Sequence, residues 1–212
     1  MTPQAVYDRL YAKYGNLNWW PAKTPYEVIV GAVLTQNTNW NNVEKAIANF
    51  GDNLHPQWVL DADLETLREI IRPSGFFNQK SVYLKEVTRW FQHYNFDVKR
   101  VSAEPLHKLR PELLAVRGIG METADSILLY AFGLPTFVID AYTMRLCERL
   151  PLFEKSAWKN YTTLKNAFEA NLDTRLYNNY HALIVIHGKN HCRKRPVCEG
   201  CPFEGECEGE TR

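Results

Sequence analysis

Apolar residues recur along most of the chain at the three- and four-residue spacing that lines one face of an α-helix. Thr24-Pro25-Tyr26-Glu27 combines a capping residue, a proline at the first helical position and the glutamate of a capping box. It opens the apolar run Val28, Ile29, Val33 and Leu34. Asp63 stands before Leu64, Leu67, Ile70 and Ile71, and Pro73-Ser74-Gly75 closes that segment. Residues 77–94 predict a longer amphipathic helix with Val82, Tyr83, Val87, Trp90 and Phe91 toward one side. Ser102 and Pro105 open a short helix, Pro111 opens a second that ends near Val116, and residues 121–132 form another, stopped at Gly133. Residues 140–150, 156–171 and 173–186 complete the set. No period-2 alternation, repeat or low-complexity segment stands out, so the expected fold class is all-α. Two helical lobes are expected, one spanning 25–132 and the other joining 1–24 to 133–212. The chain would start in one lobe, build the other and return.

Composition narrows the class. Of 212 residues, 45% are hydrophobic, 23% charged and 13% aromatic, too apolar for a disordered chain. No apolar run approaches the roughly 18 residues of a membrane span, since even residues 126–138 are interrupted by Gly133 and Pro135. The first ten residues alternate polar and apolar and include Asp8, unlike a signal peptide. An intracellular, cytoplasmic location with no membrane partner is therefore expected. The net charge of +1 speaks against a polyanionic partner only as a sum. Residues 75–110 hold Lys80, Lys85, Arg89, Lys99, Arg100, Lys108 and Arg110 against Glu86, Asp97 and Glu104. Residues 187–196 hold Lys189, Arg193, Lys194 and Arg195 with no acid. Glu199, Glu204, Glu206, Glu208 and Glu210 balance them in a tail that meets no base before Arg212, so a basic block can face one partner while the tail looks elsewhere.

Cys192, Cys198, Cys201 and Cys207 follow the spacing C-x5-C-x2-C-x5-C, while Cys147 sits among Met144, Leu146 and Leu150 as a core thiol. A chain with a core of this size needs no disulfide framework. Four thiolates in one loop read as a metal site, and both zinc and a [4Fe–4S] cluster take four cysteines. A zinc ribbon normally uses two C-x2-C pairs, so the two five-residue outer spacings favour the cluster.

The stretch from Leu113 through Arg117-Gly118-Ile119-Gly120-Met121-Glu122 to Asp125 places two glycines around one apolar residue between two helices. Such a hairpin exposes backbone N–H groups to a phosphate without side-chain obstruction. With Val138-Ile139-Asp140 twenty residues beyond Gly120 and the cysteine loop after it, the chain resembles the helix-hairpin-helix DNA glycosylases of the endonuclease III superfamily. Trp19-Trp20-Pro21, the run from Gly31 to Thr38 with Gln36, the run from Arg72 to Lys80, and His187-Gly188-Lys189 are similar to the endonuclease III-type 3-methyladenine DNA glycosylases. The resemblance runs from about Pro21 to Cys207. Two departures are visible: Glu122 occupies the position where endonuclease III carries its Schiff-base lysine, and the first cysteine spacing is one residue shorter.

What the resemblance implies is a monofunctional glycosylase of base excision repair, acting as a monomer on double-stranded DNA with a damaged base, alkylated purines such as 3-methyladenine being excised. Asp140 would be the catalytic carboxylate, stabilising an oxocarbenium-like sugar and orienting the attacking water. Trp19, Trp20, Trp40, Glu122 and Lys189 would line the pocket of the flipped base, where aromatic faces favour a cationic purine. Gln36 would enter the gap left by that nucleotide. Arg117 with the amides around Gly118 and Gly120 would grip a phosphate, with a monovalent cation on nearby carbonyls, and Arg193, Lys194 and Arg195 would add a second contact. Cys192, Cys198, Cys201 and Cys207 would hold a [4Fe–4S] cluster. Two other readings stay open: a bifunctional glycosylase/AP lyase on damaged bases, and a catalytically silent DNA-damage-binding module. A carboxylate at 122 cannot form an imine, which weighs against the first.

Overall fold

The computed structural model describes residues 1–17, 19–150 and 152–211, the side chains of Glu210 and Thr211 excepted. Glu210 and Arg212, which enter the charge reading of the tail, thus lie outside the described side chains. The described residues form twelve α-helices and short 3-10 turns, with no strand among them. None of these helices is long and apolar enough to cross a membrane. The chain divides into two compact units, Trp20–Leu134 and Met1–Trp19 with Pro135–Arg212.

The continuous unit is built around α2 (Pro25–Leu34), buried along its whole length from Tyr26 to Leu34. Thr24 caps it by accepting from Glu27 N at 3.1 Å. The Glu27 carboxylate reaches back one residue further than a capping box requires, accepting from Lys23 N at 3.1 Å. Around α2 pack α3 (Trp40–Phe50), α6 (Phe77–Gln92) and α9 (Met121–Phe132). The remaining helices of the unit are α4 (Pro56–Asp61), α5 (Leu64–Ile71), α7 (Val98–Ser102) and α8 (Leu106–Ala115). Asp63 caps α5 through Thr66 N at 2.7 Å, and Gly75 with φ +67° ends the 3-10 turn after it.

The second unit contains α1 (Pro3–Tyr14), α10 (Ala141–Arg149), α11 (Tyr161–Asn171) and α12 (Tyr177–Asn190), with α12 packed against α1 and α10. Its core is aromatic: Phe137 stacks on Phe168 at 4.5 Å between ring centres, and Tyr177 and Tyr180 meet Phe137 edge-on. Tyr180 also donates to Pro3 O at 2.8 Å, fixing the start of α1.

Several expectations require correction. Pro111 does not open a new helix but lies inside α8, where the buried pair Leu109 and Leu113 holds the helix together across the missing N–H. The helix expected from Ser156 begins at Tyr161, because the Asn160 side chain accepts from Thr163 N at 2.9 Å and sets the first turn there. The helix expected over 173–186 is a 3-10 turn, Thr174–Leu176, followed by α12 as far as Asn190, which puts His187, Gly188 and Lys189 on a helical turn. Gly188 belongs in that turn because a Cβ there would meet the Tyr142 ring at 2.3 Å.

The basic block over 75–110 is also not a free cationic face. Lys80 is buried, and Lys85 donates to Leu60 O at 2.8 Å. Arg89 pairs with Glu86, Arg100 with Asp97, Lys108 with Glu104, and Arg110 with Asp125. Glu86, Asp97 and Glu104 each pair with a base about one helical turn away, and Asp125, fifteen residues from Arg110, takes a further charge that a count within 75–110 leaves uncompensated.

Candidate functional site

In the continuous unit, α8 and α9 are joined by the turn 116–120. Gly118 has φ +85°, and a Cβ there would lie 2.2 Å from the Tyr83 ring, so both backbone and packing demand glycine. Gly120 is different: its φ is −88°, and nothing lies within 4 Å of where its Cβ would be. Ile119 tucks inward, 5% exposed, and its amide closes the turn onto Val116 O at 3.1 Å. A bidentate ion pair braces the two helices, Arg110 donating to the fully buried Asp125 at 2.8 and 3.0 Å. Arg117 is exposed, and Glu122 is exposed in the first turn of α9, where a carboxylate suits the helix dipole.

Gln36 lies in the turn after α2 and is tied to the hairpin, its Nε2 donating to Gly118 O at 2.9 Å and Thr123 Oγ1 at 3.0 Å. Trp40 opens α3 and donates to Glu44 Oε1 at 2.9 Å. Trp20 packs edge-on to Trp40 at 5.8 Å and lies 5.0 Å from the Tyr130 ring. The group closes on Gly31, where a Cβ would come within 3.3 Å of Trp20 Nε1. That indole N–H is buried without a hydrogen-bond partner. Tyr130 was missed in the sequence because it stands among the apolar residues of α9 and reads as core.

Phe76 lies within the run from Arg72 to Lys80. It is 60% exposed and holds φ +48°, ψ +28° at the start of α6, a left-handed conformation that strains a bulky side chain.

In the other unit, the buried extended run Phe137, Val138, Ile139 delivers Asp140 to the N-cap of α10. Asp140 Oδ1 accepts from Thr143 N at 2.7 Å and Thr143 Oγ1 at 2.9 Å, and Oδ2 stands 3.5 Å from His181 Nε2. Burial pushes the Asp140 pKa up, but hydrogen bonding and charge from His181, with the Thr143 donors, outweigh it and hold the carboxyl below its ordinary range. His181, on α12, was also missed: a lone histidine in an apolar helix carries no local sign of its partner. Lys189 Nζ lies 5.4 Å from the centre of the Trp19 ring, a cation–π contact.

Arg193, Lys194 and Arg195 are exposed on the loop after α12. Arg149 fixes that loop by donating to Arg193 O at 2.7 Å and Lys194 O at 3.1 Å. The same guanidinium donates to Cys192 Sγ at 3.2 Å, Phe203 N to Cys201 Sγ at 3.5 Å, and Gly209 N to Cys207 Sγ at 3.3 Å. Burial raises the Cys201 pKa, the Phe203 N–H lowers it, and the nearby thiols of Cys207, Cys192 and Cys198 raise it further. Among the described residues, no three His, Cys, Asp or Glu side chains converge as a single-ion site.

Residues 30–172 match the family described as HhH-GPD superfamily base excision DNA repair protein, and the chain belongs to that family. It is a base excision DNA glycosylase. A Methanocaldococcus jannaschii protein provisionally named a DNA repair glycosylase is 47% identical over 95% of this chain and 94% of its own. Among solved structures, a trapped endonuclease III–DNA covalent intermediate shares the fold, with TM-score 0.83 and 21% identity over 100% of this chain and 98% of that one. The H. pylori 3-methyladenine DNA glycosylase bound to 1,N6-ethenoadenine has TM-score 0.74 and 26% identity over 89% of this chain and 98% of that one.

Proposed function

We propose that this glycosylase is monofunctional, flipping a cationic alkylated purine such as 3-methyladenine out of duplex DNA and hydrolysing its N-glycosidic bond. The observation that carries the reading is Asp140, a buried carboxylate kept ionised by Thr143 and His181 at a helix N-terminus. As the bond breaks, its electron pair goes to the base and cancels the base's positive charge, while positive charge develops on the sugar. A fixed anion stabilises that sugar, and the water that adds to it passes its proton to the Asp140 carboxylate and from there to solvent. An alkylated purine leaves as a neutral base, so little acid assistance is needed.

The rest of the reading follows the chemistry of each group. Trp19 already attracts an ammonium, as stacking on a cationic purine requires, and Trp20, Trp40 and Tyr130 offer a second aromatic surface. Gln36 and the exposed Phe76 enter the duplex, the phenyl ring as an apolar wedge. Gly120, with open space at its Cβ, leaves a phosphate close access to the backbone, and Arg117 with Arg193, Lys194 and Arg195 hold the strands. The carboxylate of Glu122 rules out imine chemistry at that position. Incubation with methylated duplex DNA should release free methylated purines, identified by chromatography, and borohydride should trap no protein–DNA adduct. A trapped adduct sinks the monofunctional reading. Binding without any base released leaves the silent module instead.

Cys192, Cys198, Cys201 and Cys207 suit a [4Fe–4S] cluster, since three of the sulfurs already receive N–H donors of the kind that surround cluster sulfurs. The bound cluster would cross-link the loop that carries Arg193, Lys194 and Arg195. The protein should absorb broadly in the visible and contain roughly four irons per chain, both lost in Cys198→Ser. A colourless protein containing zinc would contradict the assignment.

A further inference from the structure

Lys80 has a position unlike that of any other lysine in the continuous unit. It is 1% exposed, and its Nζ donates to Leu34 O at 2.8 Å and to Ser74 O at 2.7 Å. Leu34 is the last residue of α2, immediately before the turn that carries Gln36. Ser74 ends the 3-10 turn immediately before Gly75 and Phe76. Both acceptors lie at helix C-termini, where the peptide dipoles favour a cation. Burial pulls the Lys80 pKa down to about 8, so this ammonium has been taken from water to hold two backbone ends together. The same helix supports the hairpin three residues after Lys80, through the Tyr83 ring beneath Gly118.

We propose that Lys80 is a positioning residue for base flipping: its ammonium locks the Gln36 turn to the Phe76 turn so that both side chains enter the duplex as one rigid unit. The role rests on the reading of Gln36 and Phe76 as the inserting residues. A helix surface needs no buried amine for packing alone, and a methionine of similar length would fill the same space. The ammonium adds a strong link between two carbonyls 40 residues apart in sequence (74 − 34). Loss of that link lets the two turns move independently, and displacement by about 1 Å is enough to lower a rate by about 100-fold.

A mutant cycle tests this. Single-turnover excision from methylated duplex DNA is measured for wild type, Lys80→Met, the pair Gln36→Ala with Phe76→Ala, and the combined variant. Lys80→Met is expected to lose about 100-fold, and to add less than about threefold to the loss already caused by removing both inserting side chains. Losses that multiply would overturn the proposal, because a general loosening of the fold acts whether or not Gln36 and Phe76 are present. If Lys80→Met does not fold, Lys80→Gln, which keeps one donor group, runs the same cycle. Should wild type release no base, the functional reading fails on its own. The cycle is then read from 2-aminopurine fluorescence beside a tetrahydrofuran abasic analogue, which reports insertion without chemistry. Wild-type insertion that Lys80→Met leaves unchanged, or no insertion by wild type, rejects the role of Lys80.

Discussion

Asp140→Asn is expected to fold normally and to release methylated purines about 10³-fold more slowly than wild type. Asparagine is as good an N-cap as aspartate, so the bond from Thr143 N to residue 140 survives the change and α10 keeps its start. What is removed is the negative charge, and with it the stabilisation of a positively charged sugar. The pH dependence separates this from a simple packing effect. The Asp140 pKa is depressed below its ordinary 3.8, so the stability it contributes is present above the unfolded value and is lost only as pH falls through the lower folded value. Excision that depends on its charge should therefore show no acid limb from Asp140 at pH 5 and above. Single-turnover rates with methylated duplex DNA, set beside thermal melts, check both points. A limb near pH 6 that disappears in Asp140→Asn would contradict the assignment, as would a rate loss below tenfold.

Features fixed within a few residues of one another were readable from the sequence. The caps Thr24, Asp63 and Asp140 each bond an amide three residues ahead, so their sequence signals and their geometry coincide. The hairpin glycines and the cysteine spacing are likewise local. Helices α1, α3, α4 and α7 went unread because they are short or bury only a thin stripe, as α3 does with Val43, Ala46 and Phe50. Roles that depend on distant partners were invisible. Lys80 counts as surface charge until a carbonyl 46 positions away is brought to it, and His181 reads as a histidine in an apolar helix until Asp140 faces it. Phe76 shows the reverse case: it stands just before the expected helix, and only its left-handed backbone, which the sequence does not show, turns its ring outward. The expected residues thus divide by how far their partners lie along the chain.

Gly118→Ala should destabilise the continuous unit by about 3 kcal/mol, a sum of two separable effects. A left-handed backbone costs an L-residue about 1–2 kcal/mol, and φ at this position is +85°. The added methyl would also sit 2.2 Å from the Tyr83 ring, an overlap that only displacement of that ring relieves, and overpacking of this kind costs about 1–3 kcal/mol. For a chain of this length the melting temperature should fall by roughly 6–12 °C. Tyr83→Ala removes the overlap but not the backbone strain, so in that background the same substitution should be milder by about 1–2 kcal/mol. Gln36 provides the functional readout, because its Nε2 bonds the Gly118 carbonyl and moves with the turn. Gly118→Ala should accordingly lower affinity for abasic-analogue duplex as well as stability. In the Tyr83→Ala background, Gly118→Ala should cost less of both together. Equal effects in the two backgrounds would mean that Tyr83 does not support the hairpin and that backbone strain alone sets the requirement for glycine.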